Sequence, residues 1–183
     1  MIAVTLPPIV VMGVQGSGKS TIGELLADKL GARFLDGDAL HPAANKAVMA
    51  AGQALQDEHR LPWLHEVGLR LAEDHPDGLV IACSALKRSY RDLLRGHAAE
   101  LFIVDPEGPI DVIAARLRAR AHEFMPPALL QSQLDTLEVR TDDERGVTVD
   151  IVEPPGTIVD RIIAALAAEI EGGEVDHAAH RTN

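Results

Sequence analysis

Cysteine is nearly absent: Cys83 is the only one in 183 residues. An intrachain disulfide and a thiolate zinc cluster each need more than one, so neither is available, and a reducing compartment is the expected setting. Aromatic residues make up only 3%, which leaves Ala, Val, Leu and Ile to build a core. Runs of lysine or arginine are missing and the formal net charge is −11, so the chain lacks the cationic footprint that a nucleic-acid backbone demands. Apolar stretches of membrane length are missing too. The opening MIAVTLPPIVVMG carries no basic n-region and meets a glycine cluster after a few apolar residues. Neither a secretory leader nor a membrane span is expected, and the reading is cytoplasmic.

What is there fits a soluble globular chain, with 46% hydrophobic and 25% charged residues. One domain is expected over 1–171, with a lid insertion at about 122–141 and a disordered tail, GGEVDHAAHRTN, over 172–183. Short, nearly continuous apolar runs at Ile9–Met12, Leu79–Cys83, Leu101–Val104 and Val147–Ile151, with a weaker one at Arg33–Leu35, read as strands buried on both faces. Helical spacing fills the intervals at Ser20–Leu30, Trp63–Glu73, Ser89–Leu94, Ile110–Arg120 and Thr157–Ile170. Strand and helix alternate, which predicts an α/β domain: a three-layer α/β/α arrangement around a five-stranded parallel sheet with right-handed crossovers. Two stretches, Asp38–Arg60 and His122–Thr141, break the alternation and read as helical excursions from the strand ends, where substrates and lids belong in such folds.

Between the first strand and the first helix stands GVQGSGKS, Gly13 to Ser20. It satisfies G-x-x-x-x-G-K-[ST] in the required strand-to-helix context. Gly13, Val14, Gln15, Gly16, Ser17 and Gly18 supply backbone N–H groups to an anion nest at a helix N-terminus, with Thr21 completing the segment. Lys19 supplies a point charge to the β- and γ-phosphates of ATP, and the Ser20 hydroxyl is a ligand for Mg²⁺. A purely structural glycine turn has no use for Lys and Ser directly after its last glycine.

The second strand ends in LDGDALHP, which places Asp36, Asp38 and His41 at the strand end facing the phosphate loop. One carboxylate there can orient a metal while another accepts the proton of an attacking hydroxyl. The alternative is an Asx turn in which Asp38 caps the next helix. Arg60 in QDEHRLPW and Lys87 in CSALKRSYR suit an anionic acceptor, whereas Arg88 and Arg91 read as a solvated helix face. Cys83 and Ser84 read as packing or capping residues. Arg116 and Arg120 lie one helical turn apart, so both project toward a lid and toward charge on a transferring phosphoryl group.

Together GVQGSGKST, FLDGDALHPAANKAVMAAGQAL, DEHRLPWL, CSALKRSYRDLLRG and MPPALLQSQLDTLE resemble the gluconate kinases of the P-loop small-molecule kinases, a nucleoside monophosphate kinase-like fold with a helical lid. The resemblance runs from about Ile9 to Ile170. It implies MgATP-dependent phosphorylation of D-gluconate at the 6-hydroxyl and, often, a homodimer. By motif, Asp38 matches the residue facing the acceptor hydroxyl, Asp36 the one near Mg²⁺ and Arg60 an anchor for the sugar-acid carboxylate; His41 and Lys87 join the substrate side. Two departures fall in the lid: His122-Glu123 stand where Gly-His is expected, and Val139-Arg140 follow TLE where a proline is common. Rival readings are a shikimate-type or nucleoside kinase and a nucleotide-dependent switch. Against the switch, the Asn45-Lys46 pair continues Ala-Val and not the x-Asp of a guanine-reading segment.

Overall fold

A computed structural model of the chain describes residues 6–119 and 127–179. Its elements run β1 (Ile9–Val11), α1 (Lys19–Leu30), β2 (Arg33–Asp36), a 3-10 turn (Gly37–Leu40), α2 (Ala43–Ala50), α3 (Asp57–Ala72), β3 (Leu79–Ala82), α4 (Arg88–His97), β4 (Phe102–Glu107), α5 (Ile110–Ala119), α6 (Pro127–Thr136), β5 (Gly146–Asp150) and α7 (Pro155–Ala179). The strands form one parallel sheet in the order β2-β3-β1-β4-β5. Every expected strand is present at its expected place.

Residue alternation along each strand divides the core into two layers. Val10, Ile81 and Ile103 face Trp63, Leu64, Val67 and Leu71 of α3 and Tyr90 and Leu94 of α4. Ile9, Val11, Val80, Phe102 and Val104 face Ile22 and Leu26 of α1 and Ile158, Val159 and Ile162 of α7. The scarcity of aromatics is met by dense branched aliphatics, with Trp63 and Tyr90, 1% and 2% exposed, as the buried rings of the first layer. A smaller third cluster joins Val14 after β1, Leu86, Ile113 and Leu117 of α5, Leu130 of α6 and Ile151, at the end of the sheet where the strands deliver their loops.

Three sequence readings are corrected here. Helix α3 begins at Asp57, well before Trp63, because Gln56 and His59 form a reciprocal cap that starts the helix early; the Gln56 N–H donates to His59 Nδ1 at 3.1 Å. Helix α7 continues to Ala179, through most of the stretch read as a disordered tail. Arg91, read as solvated, is 0% exposed. Of the lid excursion, α6 is described, whereas Arg120 and the His122–Phe124 departure lie outside the described residues.

Candidate functional site

The phosphate loop follows directly from its glycines. Gly13, Gly16 and Gly18 have φ of 127°, 85° and 94°, left-handed values that side chains rarely adopt. Gly18 caps the N-terminus of α1, so the dipole of that helix and its unpaired N–H groups face an incoming anion. Arg116 of α5 braces the loop, with Nη2 donating to the Ile151 carbonyl at 2.7 Å and Nη1 to the Ser17 carbonyl at 3.4 Å. The Ser17 hydroxyl is buried with no hydrogen-bond partner among the described residues. That orphaned polar group, the turned-in glycines and Lys19 at the head of α1 make a cradle that fits a polyphosphate.

The 3-10 turn after β2 is held just as firmly. Asp36 Oδ1 accepts from the Asp38 N–H at 3.0 Å, and Trp63 Nε1–H donates to the Gly37 carbonyl at 2.7 Å. A side chain on Gly37 would place its Cβ 2.6 Å from the Ala82 carbonyl oxygen, so only glycine lets the turn lie against β3. His41 stacks on Trp63, ring centroids 4.0 Å apart at 17°. It is Asp36, not Asp38, that caps the 3-10 turn, and Pro42 stands at the N-cap of α2, so Asp38 caps neither element.

These two constructions meet in a cleft of about 630 Å³ lined by Gln15 and Lys19 from the loop, by Asp38, His41 and Arg60, and by Ser84 after β3. Met49–Leu55 forms one wall, and Leu129, Ser132 and Gln133 of α6 form the roof. Gln133 Oε1 accepts from the Gln15 N–H at 2.7 Å, so α6 lies directly on the phosphate loop. Arg60 is steadied by its Nε–H bond to the Leu55 carbonyl at 3.2 Å. Of the sequence-predicted site residues, Gln15, Lys19, Asp38, His41 and Arg60 line this cleft, and Arg116 does not. Lys87 is not among the residues that line the cleft: its Nζ donates to both oxygens of Asp57, at 2.9 and 2.8 Å, and lies over the Tyr90 ring. Asp57 is held below the usual carboxylate range by Lys87 and by the Tyr90 hydroxyl, which donates to it at 2.5 Å.

Burial pushes the Cys83 thiol up to about 12, so it is an inert packing residue, as its surroundings in the sequence suggest. His41 is lowered to about 4, chiefly by burial and then by Arg60 and Lys46; it is neutral at physiological pH. Among the described residues, groups of three or more His, Cys, Asp or Glu placed to hold a metal are absent. What is present, Ser20 in the first turn of α1 and Asp36 at the end of β2, is the sparse oxygen set that suits a Mg²⁺ carried in with phosphates. None of the described helices is long and apolar enough to cross a membrane.

Sequence reasoning missed the frame behind the cleft. After α6 the chain returns as a strap, whose Glu138 N–H donates to the Leu86 carbonyl at 2.7 Å. Arg91 threads under it, forming two bonds to Glu144 at 2.8 and 2.9 Å and reaching the carbonyls of Ala85, Leu86, Glu138 and Val139. Glu144 is buried, which alone would raise its pKa, yet Arg91 and the Thr141 N–H hold it down at about 2. The frame also clamps Ala85, whose φ of 38° is strained for a residue with a Cβ. Its neighbour Ser84 faces the cleft. At the Val139-Arg140 departure the Arg140 N–H donates to buried Asp105 at 3.1 Å.

A family model described as an AAA domain matches residues 9–140. The chain is 44% identical over 164 residues to a gluconokinase of Gluconobacter oxydans, covering 88% of this chain and 92% of that protein. It is 41% identical over 179 residues to a gluconokinase of Arabidopsis thaliana, covering 90% and 94%. The crystal structure of a gluconokinase from Sinorhizobium meliloti superimposes with a TM-score of 0.87 at 46% identity, over 93% of this chain and 97% of that one.

Proposed function

Since the chain belongs to the gluconokinase family, within the AAA-domain group of P-loop proteins, we propose that it transfers the γ-phosphoryl group of ATP to the 6-hydroxyl of D-gluconate, giving 6-phospho-D-gluconate and ADP. The observation that supports the reading is a cleft whose lining includes Lys19 of the phosphate loop together with Asp38 and Arg60.

The loop amides and Lys19 hold the triphosphate and take up charge that builds on the departing oxygens. Arg60 receives the carboxylate of the acid, which sets the opposite end of the substrate toward the loop. Asp38 then orients the terminal hydroxyl in line with the γ-phosphorus and accepts its proton as the new O–P bond forms and the bond to ADP breaks. Mg²⁺, held by Ser20 and Asp36 with the phosphates, would neutralise charge on the β- and γ-oxygens. Arg116 reaches the nucleotide side from α5, and Arg120 is assigned to the same face by the helical spacing of the sequence. His41 joins the acceptor side; Lys87 acts one step removed, by fixing Asp57 in the first turn of the helix that carries Arg60. The homodimeric state rests on the family resemblance, and the cytoplasmic setting on that and the single cysteine.

The test is an ADP-release assay over sugar acids, shikimate and nucleosides, with the product position read by phosphorus–proton correlation. Gluconate is expected to be preferred, because a site built to bond a substrate hydroxyl discriminates against analogues lacking it by roughly 10⁴ to 10⁵. Shikimate turned over as well as gluconate would overturn the assignment.

A further inference from the structure

We propose that Asn45 is a positioning residue that fixes the His41 imidazole as its Nε2–H tautomer, so that a hydrogen-bond donor stands permanently on the Asp38 side of the cleft. The inference rests on the reading that Asp38 serves the acceptor hydroxyl.

The argument starts from an amide whose orientation is decided by its partners. Asn45, on α2, is 4% exposed. Its Nδ2 lies 2.7 Å from the His59 carbonyl oxygen and 3.2 Å from His41 Nδ1. A carbonyl oxygen accepts and never donates, so the amide must present NH₂, not oxygen, at this position. One hydrogen goes to His59 and the other points at Nδ1. An NH₂ group has no lone pair to offer, and Nδ1 must therefore be the unprotonated nitrogen of the ring. The proton of neutral His41 is left on Nε2.

A half-turn of the ring would keep its stacking but set Cδ2–H against the Asn45 NH₂ and forfeit the bond to Nδ1. The imidazole is 6% exposed and lies flat on Trp63, which is itself bonded to the Gly37 carbonyl. With Nδ1 turned to α2, Nε2 is directed to the 3-10 turn, 3.8 Å from Asp38 Oδ1. That is longer than a hydrogen bond and short enough for charge attraction. Were the proton on Nδ1 instead, a lone pair would face the carboxylate, acceptor against acceptor. A second proton is opposed by burial, by Arg60 on α3, by Lys46 on α2 and by the Asn45 NH₂ on α2, and is favoured by Asp38 in the 3-10 turn. His41 stays neutral down to about 4, so it orients Asp38 or a substrate oxygen without cancelling the carboxylate charge. A permanent donor of this kind selects oxygens carrying a free lone pair at that point of the cleft.

Long-range nitrogen–proton correlation of the imidazoles in ¹⁵N-labelled protein reads the tautomer directly, with His41 assigned by its absence in His41→Gln. The expected pattern is Nε2–H, unchanged between about pH 5 and 8. An Nδ1–H pattern, or a His41 that titrates near its ordinary value, overturns the proposal whether or not Asn45 variants fold. In Asn45→Asp a carboxylate replaces the amide and accepts from Nδ1–H, so His41 gains a second proton within that range. The kcat/KM for gluconate then acquires an acid limb absent from the wild type, with a loss of roughly tenfold to a hundredfold at the acid end, because an imidazolium beside Asp38 lowers the basicity of that carboxylate by roughly 1 to 3 pKa units. The KM for ATP stays within a few-fold. An Asn45→Asp profile parallel to the wild type overturns the positioning role. Failure to phosphorylate gluconate at all would sink the proposed substrate and leave the tautomer measurement standing, so the two failures are distinct.

Discussion

The two ends of the cleft are built by opposite means. The phosphate end comes from eight consecutive residues, Gly13 to Ser20, and acts through backbone N–H groups turned inward by left-handed glycines. The acceptor end is assembled from Asp38, His41, Arg60 and Ser84, on separate segments, and acts through side chains whose aim depends on other side chains: Trp63, Asn45 and the Arg91–Glu144 pair. A contiguous backbone device needs only local geometry. A dispersed side-chain device needs the whole fold to hold it, and the cost of error is spread over residues that never touch substrate.

Disabling each end separately tests that contrast at full strength. Lys19→Met and Asp38→Asn are each expected to lower kcat by roughly 10² to 10⁴, the range for losing a charge-stabilising group or a general base. Nucleotide titration separates them: ATP binding weakens in Lys19→Met and stays close to wild type in Asp38→Asn. If Asp38→Asn retained kcat within a few-fold, the acceptor end would be a binding surface only.

Next in size is the frame. Glu144→Gln strands the buried Arg91 guanidinium, and breaking a buried pair in this way costs about 3–5 kcal/mol, measured as a lower urea midpoint at unchanged slope. The double variant Arg91→Met with Glu144→Leu should recover most of it, since apolar replacement of both partners removes the unpaired charge. Equal losses in the single and double variants would mean that the bonds to the Ala85, Leu86 and Glu138 carbonyls, not the ion pair, carry the frame.

How much of this was legible in the sequence follows the same division. The strands and the loop could be read because hydrophobic runs and motif spacing are local, whereas Asp38 and Arg60 were drawn to the acceptor side by the strand-end position of one and the family resemblance of both. Arg91 could not. RSYRDLLR has the composition of a solvated helix face, and its burial is decided by Glu144, 53 positions away, and by carbonyls of a strap that returns after α6. Lys87 was drawn toward the cleft by its motif, yet Asp57 and Tyr90 claim it in space. Nothing local marks Asn45, whose role appears only once α2 lies against His41 and the His59 carbonyl.

A smaller effect comes from acid. The folded His41 value of about 4 lies below the ordinary 6.5, so between those values the unfolded chain binds a proton that the folded chain refuses. Stability from this group is complete above about pH 6.5, falls as the pH drops through the window and levels off below about 4. At 1.36 kcal/mol per pKa unit the full span is at most about 3 kcal/mol. Urea titrations of wild type and His41→Gln at intervals across the window should converge toward low pH; parallel curves would show that His41 titrates alike in both states.

The smallest change is expected on the phosphate side, at the pair that ties α1 to α7. Lys29 Nζ reaches Asp160 Oδ1 at 2.6 Å, but the two side chains are 42% and 69% exposed. Solvent and salt screen such a pair, and its rotamers must be ordered to form it, so Lys29→Ala should cost below about 1 kcal/mol and less still in high salt. The helices it joins are already packed through Ile22, Leu26, Ile158 and Ile162, which is why the phosphate end does not depend on it. A double-mutant cycle with Asp160→Ala measures the coupling; a value comparable to that of Arg91 with Glu144 would mean that the phosphate end, too, hangs on distant side chains and that the contrast between the two ends is false.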